Sequence, residues 1–202
     1  MSTTLDSIGP LGASVACCAT VHALLAGETP VPLEPMALRG LRVAVPGNLV
    51  MDGLDPAVAE AFGRILTRLS TFGARITHLP LPQLDAIVAA NAGGGFSPPE
   101  AYAYHQMLLK RAAGQYDQRV RVRIERGADM SAAASAPFDV VAMPTVAILP
   151  PRIDSLTEDA EFLRVNGMLL RNPSLANFLD RCSISLPAHR EGDAPVGFML
   201  IG

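Results

Sequence analysis

The groups of the chain that could carry out nucleophilic chemistry stand in no recognisable catalytic pattern. Hydrolysis of an amide by an enzyme nucleophile needs an activated hydroxyl or thiol, a nearby base and donors for the oxyanion. The one lysine, Lys110, lies beside Arg111 near the end of a predicted helix, where a cation is normally solvated. The segment Gly93-Gly-Gly-Phe-Ser97 has the composition of a nucleophile loop. We interpret it as a connection between helices, because no buried strand precedes it.

The histidines and cysteines likewise form no pattern typical of a metal or catalytic site. The three cysteines have neither zinc-ligand nor disulfide-framework spacing, and no two of the four histidines have the spacing of a ligand pair. His22 lies among apolar residues of a predicted helix, so we expect it at a core or boundary position. A Cys182–His189 dyad would lack an orienting group. We therefore predict no catalytic residue, no metal site and no cofactor within the chain.

Composition and charge indicate a globular protein. With 202 residues, of which 50% are hydrophobic and 17% are charged, the chain can form one domain with a core. A net charge of -3 favours neither nucleic acid nor an anionic membrane as a partner, and the arginines between Arg119 and Arg126 are typical of a solvated face. No apolar stretch is long enough to span a bilayer and no export signal is recognisable, so we expect a cytoplasmic protein.

Hydrophobic periodicity predicts alternating helices and strands. Ser14 and Gly27 bound the first helix, and Asp55-Pro56 and Gly73 bound the second. Because a strand precedes and follows this second helix, we predict a parallel crossover. The segment 117–127 is ambiguous, and helix is weakly favoured. The predicted helices are 14–26, 55–73, 84–92, 99–111 and 155–170, and the predicted strands are 41–45, 74–78, 139–143, 184–186 and 196–201.

Four segments, in their order along the chain, resemble the C-terminal part of the amidase signature family of serine hydrolases. They are Leu5-Asp-Ser-Ile-Gly-Pro10, Asp139-Val-Val-Ala-Met-Pro-Thr145, Ile184-Ser-Leu-Pro187 and Pro195-Val-Gly-Phe-Met-Leu-Ile-Gly202. Each segment is weakly specific by itself, and it is their combination that carries the resemblance. It covers almost the whole chain.

The resemblance implies an α/β fold with an incomplete mixed sheet layered by helices, like the later part of the amidase signature fold. Residues 1–202 would form a single partial domain that lacks the family's N-terminal catalytic part and its closing helix. Such a sheet would have an open edge, and it would leave apolar surface uncovered.

The resemblance also carries expectations about chemistry. The family's lysine, its bridging serine and the nucleophilic serine of its Gly-Gly-Ser loop would all fall upstream of Met1. Asp6 and Ser7 match the stretch after that loop, and with Thr145 they are the expected substrate-proximal residues. The implied function is that of a C-terminal portion of a hydrolase that converts carboxamides to acid and ammonia or amine through an acyl-enzyme. We expect the isolated chain to be inactive.

Departures from the family pattern leave two alternatives open. Ala13 and Cys17 stand where the family usually has arginine and aspartate, and only 131–137 fills the interval of a long family helix. The chain could be a decayed remnant. It could instead be a non-catalytic partner that completes a separately encoded half, or it could self-associate through the open edge. A small amide would be bound only by the completed protein, and the sequence does not specify which amide.

Overall fold

The computed structural model describes residues 8–82, 84, 85, 88, 97–115, 118, 139–178 and 181–202. In this part of the chain, helices and strands alternate much as the periodicity predicts. The helices are α1 Val15–Ala26, α2 Pro56–Thr71, α3 Ser97–Ala112 and α4 Asp159–Phe178, and the strands are β1 Arg42–Pro46, β2 Arg75–Leu79, β3 Val140–Pro144, β4 Ser183–Pro187 and β5 Gly197–Ile201. The glycines 93–95, most of 117–127 and the interval 131–137 lie outside the described residues.

The first helix begins and ends at the predicted residues. The Ser14 hydroxyl accepts a hydrogen bond from the Cys17 amide at 3.1 Å, which satisfies one of the free donors of the first turn. Gly27 ends α1 in the left-handed conformation, at φ 75°. His22 is exposed, so the prediction of a core or boundary position for it was wrong.

The second helix is amphipathic, and its apolar stripe packs on the sheet. Pro56 occupies its first turn, and Val58, Ala61, Phe62 and Leu66 are buried. Asp55 stands at the N-cap position as predicted, but its carboxylate does not cap the helix. It accepts a hydrogen bond from the Leu149 amide at 2.6 Å, which ties the start of α2 to the segment after β3.

The five strands form one open mixed sheet in the order β2-β1-β3-β5-β4. β1 pairs in parallel with β2 on one side and with β3 on the other. β5 runs antiparallel to both β3 and β4. The mixed sheet and the parallel β1-α2-β2 unit confirm the predicted fold class, and β2 and β4 are the edges of this sheet.

Helices cover both faces of the sheet. On one face α2 packs against the strands, and the rings of Phe62 and Phe198 lie 5.4 Å apart. On the opposite face, Leu175 of α4 packs in a cluster with Val50, Leu84 and Met199. The result is a helix–sheet–helix sandwich in which β1, β3 and β5 are the buried strands.

The helix α4 continues eight residues beyond the predicted end at Leu170. Pro173 lies inside it, although a proline removes one helical hydrogen bond and usually ends a helix. Leu175 and Ala176 are buried against the sheet, and the fully buried Asn172 amide bonds to two backbone carbonyls. These tertiary contacts offset the cost of the proline, which periodicity alone could not reveal.

Residues 8–36, which we call the N-terminal arm, contrast with this sandwich. The arm contains α1, and no residue of α1 is buried. Its exposed apolar side chains include Ile8, Leu11, Leu24 and Leu25. Among the described helices, none combines the length and apolar character needed to cross a membrane.

Candidate functional site

The carboxyl ends of the three parallel strands meet at one edge of the sheet. β1, β2 and β3 end at Pro46, Leu79 and Pro144 respectively, and the segments that follow them lie next to one another. The helix α2 follows β1 and covers one face of the sheet, whereas α4 follows β3 and covers the other face. The direction in which the chain leaves the strands therefore reverses between the neighbours β1 and β3. Ligands of open α/β sheets bind in the crevice at such a reversal. This edge is therefore the candidate site.

Thr145 is the one predicted substrate-proximal residue that the structure describes, and it lies at this edge directly after β3. Asp6 and Ser7 lie outside the described residues. The Thr145 hydroxyl is 2.6 Å from the Ser185 hydroxyl of β4, and the Thr145 amide donates to the Gly197 carbonyl at 2.9 Å. Thr145 and Ser185 therefore reach towards each other across the start of β5.

Gly197 makes this close approach possible. A Cβ atom at position 197 would lie 2.5 Å from Thr145 Oγ1 and 2.8 Å from Ser185 Oγ, closer than real side-chain carbons come. Gly197 thus fits beneath the hydroxyl pair because it has no side chain. The roles of Ser185 and Gly197 were not predicted from the sequence, although both residues lie in segments that carry the family resemblance.

The hydroxyl pair can position a polar group, but its described contacts do not activate it. One hydroxyl donates to the other, which leaves one proton and several lone pairs for a further partner. The described partners of the pair are each other and the backbone of Gly197, and no ionisable group is among them. An activated nucleophile needs a base within hydrogen-bond reach. Thr145 and Ser185 are consequently suited to binding and positioning.

An asparagine joins the segments that follow β1 and β2. Asn48 Nδ2 donates to the Leu81 carbonyl at 3.1 Å and to the Asp85 carboxylate at 3.0 Å. The Leu81 amide donates back to Asn48 Oδ1 at 2.9 Å. This reciprocal pairing holds the two segments in one relative position at the carboxyl edge.

A second asparagine joins the segment after β1 to the end of β3. Asn172 of α4 is fully buried, and its Nδ2 donates to the Val50 carbonyl at 3.2 Å and to the Pro144 carbonyl at 2.8 Å. Its neighbour Arg171 donates to Asn172 Oδ1, to the Val50 carbonyl and to the Asp52 carbonyl. Burial lowers the pKa of Arg171, and the Asp52 carboxylate opposes that change. A guanidinium nevertheless stays protonated in proteins.

These contacts hold a backbone conformation that would otherwise be unfavourable. Leu49 has a φ of 57°, in the left-handed region that residues with a side chain rarely adopt. The next residue, Val50, is fully buried and accepts hydrogen bonds from both Arg171 and Asn172. Contacts with α4 therefore hold the segment after β1 in this conformation at the carboxyl edge.

None of the described contacts of Lys110, Cys182 and His189 supports a catalytic role for these candidates. Ser97 is the first residue of α3, and Lys110 is exposed in the last turn of the same helix. The described contacts of His189 are with the backbone of Val196, at 3.2 and 3.3 Å, and do not include Cys182. Within the described residues, no group of acidic, histidine and cysteine side chains could hold a metal ion.

Comparison with curated proteins finds a deaminase, an amidase and part of an amidotransferase. The 2-amino-5-chloromuconic acid deaminase of Comamonas testosteroni is 29% identical over 224 aligned positions, which cover 100% of this chain and 48% of that protein. An amidase of Pseudomonas putida is 30% identical over 140 positions, which cover 63% of this chain and 30% of that protein. One subunit of the glutamyl-tRNA(Gln) amidotransferase of Pelobacter propionicus is 33% identical over 102 positions, which cover 44% of this chain and 21% of that protein. No protein-family model matches the chain.

Solved structures show the same fold. A crystal structure of an amidase superposes with a TM-score of 0.73 at 21% identity, covering 96% of this chain and 48% of that one. A bacterial aryl acylamidase of the amidase signature enzymes superposes with a TM-score of 0.59 at 17% identity, covering 88% and 44%. These structures share the fold of this chain, and the relatives support the resemblance to the amidase signature family that the sequence motifs predict. The chain spans about half the length of the curated relatives that it matches from end to end.

Proposed function

We propose that this chain is the C-terminal portion of an amidase-signature hydrolase and that it does not turn over amides by itself. The observation that carries the proposal is the match to a relative over the whole of this chain, but over only 48% of that relative. The family reaction breaks the carbon–nitrogen bond of a carboxamide. Attack on the carbonyl forms an acyl-enzyme and releases ammonia or an amine, and water then releases the acid.

The chemistry of the described groups supports inactivity of the isolated chain. A catalytic lysine is commonly desolvated by burial, which lowers its pKa, whereas Lys110 is exposed at the end of α3. The hydroxyls of Thr145 and Ser185 contact each other, and no base is among their partners in the part of the chain that the structure describes. The nucleophile, the bridging serine and the catalytic lysine would come from the part of the relatives that this chain does not match.

The proposed contribution of this chain is one wall of the substrate site. Thr145 lies at the carboxyl edge of the sheet, where its half-buried hydroxyl could bind a polar group of the amide. Asp6 and Ser7 would hold the loop of the nucleophile. The fixed segment after β1, clamped by Asn172, would keep this wall in place before the substrate binds.

An amide assay tests the proposal directly. The purified chain is incubated with acetamide, benzamide, glutamine and an anilide, and release of ammonia or aniline is measured against buffer. We expect no turnover. Measurable hydrolysis would refute the proposed inactivity. Lys110→Ala and Ser97→Ala would then locate the source, because turnover that survives both changes must come from a different site.

A second candidate function is that of a non-catalytic subunit that completes a separately encoded amidase half. The exposed apolar arm favours this candidate, because an isolated globular chain normally buries such residues. One relative is by name a subunit of an amidotransferase. Coexpression with the unmatched part of a relative, followed by a sizing column, tests it. A complex is expected, and elution of two separate chains contradicts this candidate.

We propose the cytoplasm as the compartment of the chain. Cys17, Cys18 and Cys182 are all free thiols, and free thiols persist where the environment is reducing. The cells are lysed in the presence of an alkylating reagent and a denaturant. We expect all three cysteines of the chain to be alkylated. Recovery of a disulfide between Cys17 or Cys18 and Cys182 would contradict it.

A further inference from the structure

The N-terminal arm exposes most of its large apolar side chains. In α1 the large apolar side chains Val15, Val21, Leu24 and Leu25 are all exposed, and none of the residues of the helix is buried. The residues before the helix behave in the same way, since Leu11 is fully exposed. Exposed apolar surface of this extent in one segment marks an interaction site.

The helix α1 has no polar face that could remain in water. Its sequence contains no charged residue, and its two polar residues, Thr20 and His22, lie on nearly opposite sides of the helix. Helices that are apolar on all sides are found inside large proteins or membranes, whereas a surface helix has one apolar stripe. We therefore expect α1 to be surrounded by its partner, rather than to touch it along one side.

The sequence of the arm argues against a lipid surface and against a second copy as this partner. Helices that bind membrane surfaces have a basic polar face, whereas the arm contains Glu28 and Glu34 and no basic residue before Arg39. Two copies of α1 packed against each other would cover one stripe of each helix and leave the opposite side in water. A larger folded body is needed to surround the helix.

The relatives indicate what that body is. The deaminase of Comamonas testosteroni matches this chain along its whole length, the arm included, and is about twice as long. In a globular protein of that size, the half that this chain does not match could cover the uncharged surface of the arm. We propose that the N-terminal arm docks into the other half of an amidase-signature protein and that α1 is the main contact. This inference rests on the proposed function, since it takes the chain to be one part of such a hydrolase.

The open edges of the sheet are less suited to this role. β2 exposes Arg75 and Thr77, and β4 exposes Ser183, Ser185 and Pro187. Polar side chains and a proline at an edge strand discourage the addition of another strand. Self-association through the open edge stays a prediction, and the arm is the better-suited docking element.

The cysteines allow the two surfaces to be compared in one experiment. Cys17 and Cys18 lie in α1, whereas Cys182 is exposed beside the edge strand β4. The full chain is coexpressed with a tagged probe, which is the part of the Comamonas testosteroni deaminase that this chain does not match. The part of that deaminase that does match this chain is produced separately and serves as the positive control, because the probe should capture its own other half. Maleimide labelling of Cys182→Ser reports on the arm, and labelling of the Cys17→Ser/Cys18→Ser variant reports on the edge.

We expect the probe to capture the chain and to slow labelling of Cys17 at least tenfold, with labelling of Cys182 unchanged. Leu24→Glu should weaken binding roughly tenfold or more, because a carboxylate would have to be buried in an apolar contact. Leu163→Glu is the matched control. Leu163 is 50% exposed on α4 and Leu24 is 62% exposed, so neither substitution disturbs the core, and the control should bind within about twofold of the unchanged chain.

Several outcomes would overturn the inference. It fails if the probe does not capture the chain, or if Cys182 is protected while Cys17 is labelled freely. It also fails if the isolated chain runs as a dimer with Cys17 protected, which would make a second copy the occupant. The proposed function fails by a different result, which is amide turnover by the isolated chain. Loss of docking together with an inert chain would leave that function standing.

Discussion

Replacing Asn172 by aspartate preserves the shape of a fully buried side chain but reverses the hydrogen bonding of one of its atoms. Asn172 Nδ2 now donates to the carbonyls of Val50 and Pro144, at 3.2 and 2.8 Å. In the variant, a carboxylate oxygen would face the same two carbonyl oxygens. Arg171 Nε, at 3.0 Å from Asn172 Oδ1, would still bind the other oxygen and would offset part of the cost.

The magnitude follows from the two lost donations. Leaving a buried polar group unsatisfied costs about 1–3 kcal/mol, so two such groups predict a loss of roughly 2–6 kcal/mol at neutral pH. A domain of this size is stable by about 5–15 kcal/mol, so the variant should retain a measurable unfolding transition or lie close to the limit of stability. The loss should exceed that of an exposed asparagine on the same helix, for which Asn177→Asp is the matched control.

The loss should depend on pH in a defined direction. Burial and the two facing carbonyls favour the protonated carboxyl, which can donate one hydrogen bond to the Pro144 carbonyl, and we expect them to outweigh the Arg171 guanidinium, which favours the charged form. The pKa of the new carboxyl in the folded protein would therefore lie above its unfolded value of about 3.9. Its protonated form is stabilised at pH values below the unfolded pKa, and that stabilisation is lost as pH rises through the folded pKa. The deficit relative to the unchanged protein should shrink on acidification.

Urea unfolding of the unchanged chain, Asn172→Asp and Asn177→Asp at pH 7 and pH 4.5 measures these quantities. We expect the deficit of Asn172→Asp to be larger at pH 7, and Asn177→Asp to lose less than about 1 kcal/mol at both values. A stability of Asn172→Asp equal to that of Asn177→Asp at pH 7 would refute the assigned hydrogen bonds. A deficit that grows on acidification would refute the assigned pKa direction.

Two further predictions concern the sheet. Gly197→Ala should lower the free energy of unfolding by about 1–3 kcal/mol, because its Cβ would overlap the hydroxyl pair, whereas Gly63→Ala, in open space on α2, should raise it by about 0.5–1 kcal/mol. Urea unfolding measures both, and equal effects would contradict the assigned overlap. Arg42 bonds the Asp139 carboxylate and lowers its pKa, so this pair should stabilise the fold above pH ~3.9 and lose its effect as pH falls further. Thermal melts of Arg42→Gln should show a smaller acid-side fall in Tm than the unchanged chain, and an identical fall would argue against the pair.

Local signals predicted most of the fold. Ser14, Gly27 and Pro56 set helix boundaries through the geometry of a few neighbouring residues, so they could be recognised in sequence. The apolar run of β3 likewise predicted a buried strand. The continuation of α4 through Pro173 depends on burial against the sheet, which no local pattern contains.

The candidate site was less predictable, because its contacts join distant parts of the chain. Thr145 was identified through the family resemblance, but its partner Ser185 is forty residues away and becomes a neighbour only when β5 lies between them. Asp55 was expected to cap α2, but its carboxylate instead accepts a hydrogen bond from the Leu149 amide. The roles of Asp6 and Ser7 stay predictions.

The position of β5 in the sheet has a consequence for the order in which the chain can fold during synthesis. β5 follows the other described strands in sequence, yet it lies between β3 and β4. While a ribosome is still making Gly197–Ile201, β4 has nothing to pair with and the apolar side chains of β3 lack a neighbour on that side. The β1–β3 pairing must also close a long loop, which is slow. The nascent chain therefore exposes its core strands until Gly197–Ile201 has left the ribosome, so a cell that expresses it should depend on chaperones that hold unfolded chains.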